Sequence, residues 1–143
     1  MISFEKGIKA RSYECDLYGH VNNAAFLNYC EFARVEFLES MGYNLQDLQK
    51  AGFLLPIVKI EIEYKAPVYT GDELTVTVEW LRRGKSSSTF GQRIIKKASG
   101  KLAASVMITW VVTDLKGKPI SIPQELLDRT QERFGELPPK GTL

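Results

Sequence analysis

The 143-residue sequence predicts one α+β domain: a long helix laid across a curled antiparallel sheet of five strands, with a further helix near the C-terminus. Three observations predict it. Residues 23–41 carry the one long run of apolar residues at helical spacing. Downstream, the period changes to two over successive segments joined by short turns, the pattern of antiparallel strands. A lone apolar-faced helix then needs a sheet face to cover.

Each element follows in order. Residues 4–13 read as a first strand, with Gly7 as a candidate bulge. In the helix, Phe26, Cys30, Ala33, Phe37 and Met41 fall on one line, with Leu27 and Leu38 beside it. Asn22 or Asn23 can cap its start, because a short amide oxygen accepts a bond from an unsatisfied helix N–H. Gly42 suits the left-handed residue that ends it. Residues 44–51 form a short helical turn before Gly52. Val58, Ile60, Ile62 and Tyr64 alternate with charged residues, which marks a half-buried strand. Leu74, Val76, Val78 and Trp80 repeat that pattern after the Thr70-Gly71-Asp72 turn. Residues 88–97 give the next strand, and Ser99-Gly100 a tight hairpin turn. Residues 102–113 are apolar on both faces, which suits a central strand. Pro123 at a first helical position opens the last helix, which runs to Phe134 and stops at Gly135. The tail from Leu137 to Gly141 is expected to be loose. The chain is thus one domain over residues 1–143, with a core at about 3–114 and a C-terminal helix at about 123–134.

Composition narrows the function. A net charge of +2 is too small to imply nucleic-acid binding, though a local basic patch can serve an anionic ligand. Cys15 and Cys30 make no disulfide framework and no CxxC pair. With one histidine there is no Cys/His zinc set, so no metal and no cofactor is expected. The N-terminus is charged early, lacks a signal-peptide apolar core, and no stretch approaches a membrane span. A reducing cytoplasm is the expected location.

The informative stretch is Asp16-Leu17-Tyr18-Gly19-His20-Val21-Asn22-Asn23, at the mouth of the long helix. A helix N-terminus carries free N–H groups and partial positive charge, so it can hold a developing oxyanion. A carboxylate beside it makes a plausible kit for hydrolysing an activated acyl group. Asp16 is the candidate nucleophile or general base, against the alternative of a turn aspartate bonding its own backbone. His20 either braces the loop or contacts Asp16 or a substrate carbonyl. Asn22 and Asn23 are candidate caps, and the amides around residues 23–26, centred on Ala25 or Phe26, are candidate oxyanion donors. No Gly-x-Ser-x-Gly elbow exists for a serine triad.

Tyr13 to Asn23, then Phe26-Leu27 and Glu31-Phe32-Ala33-Arg34, then Tyr64-Lys65-Ala66-Pro67 and Gly71-Asp72, closely resemble the signature of the 4-hydroxybenzoyl-CoA thioesterase-like branch of hot-dog proteins. Cys15 stands where many relatives carry threonine. The resemblance implies a hot-dog fold and hydrolysis of an acyl-CoA thioester to a carboxylic acid and free CoA, with CoA as part of the substrate. It also implies dimers, commonly paired into tetramers, in which the strand after the helix, roughly residues 56–64, pairs across the two-fold axis. Glu31 and Arg34 belong to the family string; three apart on a helix, they form a surface ion pair or a structural bond to a neighbouring loop or partner chain.

Arg82, Arg83 and Lys85 flank Gly84, with Ser86, Ser87 and Ser88 following. They form either a solvated connection or a site for CoA phosphates, which Arg93, Lys96 and Lys97 could extend. Leu54, Leu55, Pro56 and Ile57 are candidates for one wall of the acyl pocket. Trp80, Trp110, Phe53 and Phe90 are assigned to core or interface. Competing functions are acyl-ACP hydrolysis, a non-catalytic acyl-CoA-binding or scaffold dimer, and hot-dog dehydration. The last is disfavoured because His20-Val21-Asn22-Asn23 stands where dehydratases carry a His-Phe-Pro-Gly type string.

Overall fold

The computed structural model describes residues 2–141. Asn22 is extended, at φ −61° and ψ 144°, and its side chain accepts the Ala24 N–H at 2.9 Å. That cap starts α1 (Asn23–Ser40), which buries Ala25, Phe26, Tyr29, Cys30, Ala33 and Phe37 on one stripe. Met41 closes the helix and Gly42 turns the chain at φ +86°, a left-handed conformation that favours glycine. A second short helix, α2 (Leu45–Ala51), is capped by Asn44 and Asp47 in a reciprocal box.

Five strands form the sheet: β1 (Ser3–Lys9), β3 (Ile57–Tyr64), β4 (Glu73–Arg83), β5 (Ser87–Lys96) and β6 (Leu102–Val111). Their spatial order is β1-β4-β5-β6-β3 and every neighbour is antiparallel. Two short strands, β2 (Phe53–Leu54) and β7 (Thr113–Asp114), pair separately. The fold is therefore mixed α+β, with α1 lying on β4, β1 and β5 and α3 (Gln124–Phe134) added at the C-terminal end.

Aromatic rings lock the helix to the sheet. Trp80, Phe90 and Trp110 meet at centroid distances of 5.3–5.7 Å, Phe37 stands edge-on to Phe90 at 5.5 Å, and Phe134 of α3 stacks on Phe37 at 5.4 Å. All but Phe134 are at most 5% exposed, and each buried side chain of this size contributes about 1.5–3 kcal/mol. One polar group crosses this core. Gln92 is 1% exposed; its amide donates to the Cys30 and Thr77 carbonyls, and its oxygen accepts Arg34 Nη1 at 2.8 Å. Arg34 thus bonds β5 rather than Glu31. Trp80, Trp110, Phe53 and Phe90 are all core residues.

The structure corrects several expectations. β1 ends at Lys9, because Ala10 turns to exchange backbone bonds with Gly71 and Asp72, and Ser12–Glu14 is a single 3-10 turn. Gly7 is no bulge: the β1–β4 register runs unbroken from Ser3 opposite Glu79 to Lys9 opposite Glu73. Pro123 is the N-cap of α3 rather than its first helical residue. The strand from Leu102 leaves the sheet at Val112, whose N–H donates to the Ser86 carbonyl, so β7 is a separate piece. The tail is tied down: Arg83 exchanges backbone bonds with Pro139 and Gly141, and Pro138 is buried. β3 is not half-buried within one chain. It is an outer strand, and Ile57, Val58, Ile60 and Tyr64 are 37–59% exposed.

Candidate active site

The loop before α1 is built around Asp16. Its N–H donates to the His20 carbonyl at 2.8 Å, and its carbonyl accepts the Gly19 N–H at 3.1 Å. Gly19 sits at φ +79°, which a side chain would strain. Asp16 Oδ1 accepts the N–H groups of Tyr18 (2.8 Å) and His20 (3.1 Å). Oδ2 has no protein donor among the described residues. The same carboxylate therefore shapes its loop and presents a free oxygen.

Neighbouring segments hold this loop in place. The Val21 N–H donates to the Val68 carbonyl at 2.8 Å, Cys15 Sγ lies 3.1 Å from Thr70 Oγ1, and the His20 ring meets Tyr69 edge-on at 5.0 Å. Asp72 fixes the second loop by accepting the Tyr69 N–H and pairing with Lys96 at 3.2 Å. The Tyr69 N–H bond holds the Asp72 carboxyl below its ordinary value; burial opposes it and Lys96 assists. Glu14 anchors the other side. Its carbonyl accepts the Asn22 N–H, and its carboxylate accepts the Arg11 N–H and guanidinium and the Tyr29 hydroxyl. Burial pushes the Glu14 carboxyl up, but these hydrogen bonds outweigh it and leave it below its ordinary value.

Asp16, His20, Asn23, Phe26, Tyr64 and Lys65 line one open pocket of about 320 Å³. An accounting of the first helical amides shows which of them remains available. The Asn22 N–H goes to Glu14, the Ala24 N–H to the Asn22 side chain, and the Ala25 N–H to the Asn22 carbonyl. Phe26 begins the helix's own i→i−4 ladder. Asn23 is left as the residue of that first turn whose N–H has no acceptor among the described residues. The expectation of a donor at Ala25 or Phe26 thus gives way to Asn23; Phe26 instead offers its ring to the pocket, edge-on to Tyr64 at 5.1 Å. Asn22 is a cap. The His20 ring makes no hydrogen bond to Asp16; it is His20's backbone that does. Tyr64, whose hydroxyl donates to the Asn23 carbonyl at 3.0 Å, and Lys65 were not picked out by motif chemistry. Their only signal was membership of the Tyr64-Lys65-Ala66-Pro67 string.

Other predicted residues lie elsewhere. Arg83, Lys85 and Lys140 line a separate groove of about 410 Å³, with Arg82 exposed nearby and Arg83 Nε donating to the Pro138 carbonyl. Ser86 and Ser87 are half-buried beside it. Ser88 is 0% exposed and faces the interior, so it cannot reach a phosphate. Arg93 pairs with Glu79 and Lys96 with Asp72, so neither is free to extend a phosphate site; Lys97 is exposed. Leu55 and Ile57 line a cavity of about 60 Å³ against the far half of α1, away from Asp16 of the same chain. Pro56 is exposed and gives its carbonyl to the Val111 N–H.

A long helix on a curled antiparallel sheet, with a carboxylate loop at the helix start, defines a hot-dog protein of the thioester-hydrolase class. The chain belongs to the thioesterase-like superfamily, whose family model matches residues 10–130. It is 32% identical over 126 residues to the long-chain acyl-CoA thioesterase FadM of Escherichia coli, covering 87% of this chain and 95% of that one. It is also 32% identical over 124 residues to the chloroplastic acyl-acyl carrier protein thioesterase ATL3 of Arabidopsis thaliana, covering 85% of this chain but only 64% of that one. The crystal structure of Slr0204, a 1,4-dihydroxy-2-naphthoyl-CoA thioesterase from Synechocystis, superposes with a TM-score of 0.84 at 23% identity, over 94% of this chain and 99% of that one, a likeness of fold. Among the described residues, no helix is long and apolar enough to cross a membrane.

Proposed function

We propose that this protein is an acyl-CoA thioesterase in which Asp16 drives hydrolysis and the Asn23 N–H stabilises the oxyanion. One observation carries the reading: the free Asp16 oxygen and the free amide of the first helical turn belong to residues lining the same open pocket. A thioester carbonyl seated there has its oxygen toward the Asn23 N–H and its carbon toward Asp16. In the general-base route, Asp16 takes a proton from water as the water oxygen bonds to the carbonyl carbon. The tetrahedral oxyanion collapses, the C–S bond breaks, and the CoA thiolate receives the proton. In the nucleophilic route, the carboxylate attacks directly and water then hydrolyses the anhydride. Either route draws on the low resonance stabilisation of a thioester. One well-aimed amide donor is worth a hundredfold to a thousandfold in rate, about 2.7–4 kcal/mol.

His20 positions the loop through its backbone and forms part of the pocket wall. The cationic groove at Arg83 and Lys85, extended by Lys140, is the candidate contact for CoA phosphates, with Arg82, Ser86 and Ser87 at its rim. The exposed apolar residues of β3 support a homodimer paired along this strand, with pairs of dimers a further step. Two free thiols are consistent with a cytoplasmic protein. The likeness to ATL3 favours one second reading, acyl-ACP hydrolysis by the same residues. Kinetics on matched acyl-CoA and acyl-ACP substrates separate the two. The test of the lead reading is Asp16→Asn, which keeps an oxygen acceptor for Tyr18 and His20. Turnover is expected to fall at least about a hundredfold; a folded variant with wild-type rates across an acyl-CoA panel overturns the assignment, and so does a wild-type protein that binds CoA without hydrolysing any thioester.

A further inference from the structure

We infer that the acyl tail bound at one subunit's Asp16 runs into the apolar cavity of its partner, making unbranched aliphatic thioesters the preferred substrates. This rests on the thioesterase reading and on β3 pairing between subunits. The cavity lies between the second half of α1 and the sheet, walled by Phe37, Leu38 and Met41 on one side and Trp80, Phe90 and Trp110 on the other. Arg34 is its one charged wall residue, and its guanidinium is bonded to Gln92. The cavity opens beside Leu55 and Ile57, where β3 begins; Ile57 is 37% exposed.

Within one chain no path joins this cavity to Asp16. Phe37 is eleven residues along α1 from Phe26, about 16 Å at 1.5 Å per residue. The helix–sheet interface between them is filled by Tyr29, Cys30 and Ala33, each 0% exposed. Between subunits the distance collapses. The active pocket sits at the Tyr64 end of β3 and the cavity mouth at the Ile57 end. A strand that pairs antiparallel with its own copy about its midpoint sets Ile57 opposite Tyr64 of the partner subunit, one strand spacing of about 4.8 Å away. The exposed side chains of Val58 and Ile60 lie along the route.

A cavity of about 60 Å³ with aromatic and aliphatic walls takes a short run of chain carbons, about four or five water-sized groups, and not a bicyclic ring. Each methylene moved into it from water raises kcat/KM by about fourfold. The experiment uses butyryl-, octanoyl- and dodecanoyl-CoA with wild type, Leu38→Trp and, as a second filling variant, Leu55→Trp. Wild-type kcat/KM is expected to climb from butyryl to octanoyl, and filling to lower the octanoyl-to-butyryl ratio at least about tenfold. The deciding arm is a differently tagged heterodimer of an Asp16→Asn subunit with a Leu38→Trp subunit. In it the intact Asp16 faces the open cavity of its partner, so about half of the wild-type octanoyl rate returns. A tail held within one chain leaves neither site competent, and a heterodimer inactive on octanoyl-CoA overturns the inference. A wild type that hydrolyses butyryl-CoA with no gain from longer chains overturns it alone; a wild type inactive on all three overturns the thioesterase reading as well.

Discussion

Replacing Asn23 with proline deletes one atom group that matters and little else. Asn23 is the first helical residue of α1, a position where proline is favoured because no intrahelical bond is lost. Its N–H has no acceptor among the described residues, so no native hydrogen bond breaks. Proline restricts the residue before it to extended conformations, and Asn22 already stands at φ −61° and ψ 144°. The Asn22 cap on Ala24 and the Tyr64 bond to the Asn23 carbonyl do not involve the deleted group. Stability should therefore change by less than about 1 kcal/mol. The oxyanion, in contrast, loses its donor, and kcat should fall a hundredfold to a thousandfold, about 2.7–4 kcal/mol. Asn23→Ala keeps the N–H and is expected to stay within about threefold of wild type, since the rate effect belongs to the backbone donor and not to the side chain. The assay is steady-state hydrolysis of an acyl-CoA beside urea denaturation followed by circular dichroism. An Asn23→Pro protein with native helix content and wild-type kcat would refute the amide assignment.

Further outcomes follow from other contacts. Asp16→Ala, unlike Asp16→Asn, loses the acceptor of two loop N–H bonds, so it should lower the melting temperature in addition to the rate; each such bond is worth about 1 kcal/mol. Gln92→Leu strands the Arg34 guanidinium and two backbone carbonyls and should cost about 2–3 kcal/mol in urea denaturation, with Gln92→Glu losing less because it keeps an acceptor and adds a counter-charge. Glu14 is held below its ordinary value of 4.5, so its stabilisation is complete above that pH and is lost as pH falls through the lower folded value. Melting curves of wild type and Glu14→Gln should therefore converge on acidification; a gap that persists in strong acid contradicts the network. Ile60→Asp on the exposed face of β3 should convert dimers to monomers in sedimentation, and an unchanged mass removes β3 as the contact.

Much of this molecule was legible in local pattern. The α1 stripe, the alternation in β4 and the Asn22 and Gly42 boundaries are properties of short windows, because side-chain period and capping act over a few residues. The Asp16 loop was legible because its residue types stand together in the chain. Contacts that join distant segments were not. Arg34 three residues from Glu31 suggested a helical ion pair, yet its acceptor is Gln92, 58 positions away. Ser88 looked like part of a polar run, but the alternation of β5 turns it inward.

The linear order of residues by itself determined the class of fold, the one long helix, and a carboxylate placed at that helix's start. Only the tertiary structure decided which amide there stays free, because that depends on where Glu14, Asn22 and their carbonyls come to rest in space. It also decided that the apolar side chains of β3 lie uncovered on an outer strand, since α1 is placed over β1, β4 and β5 and cannot cover both margins of a five-stranded sheet.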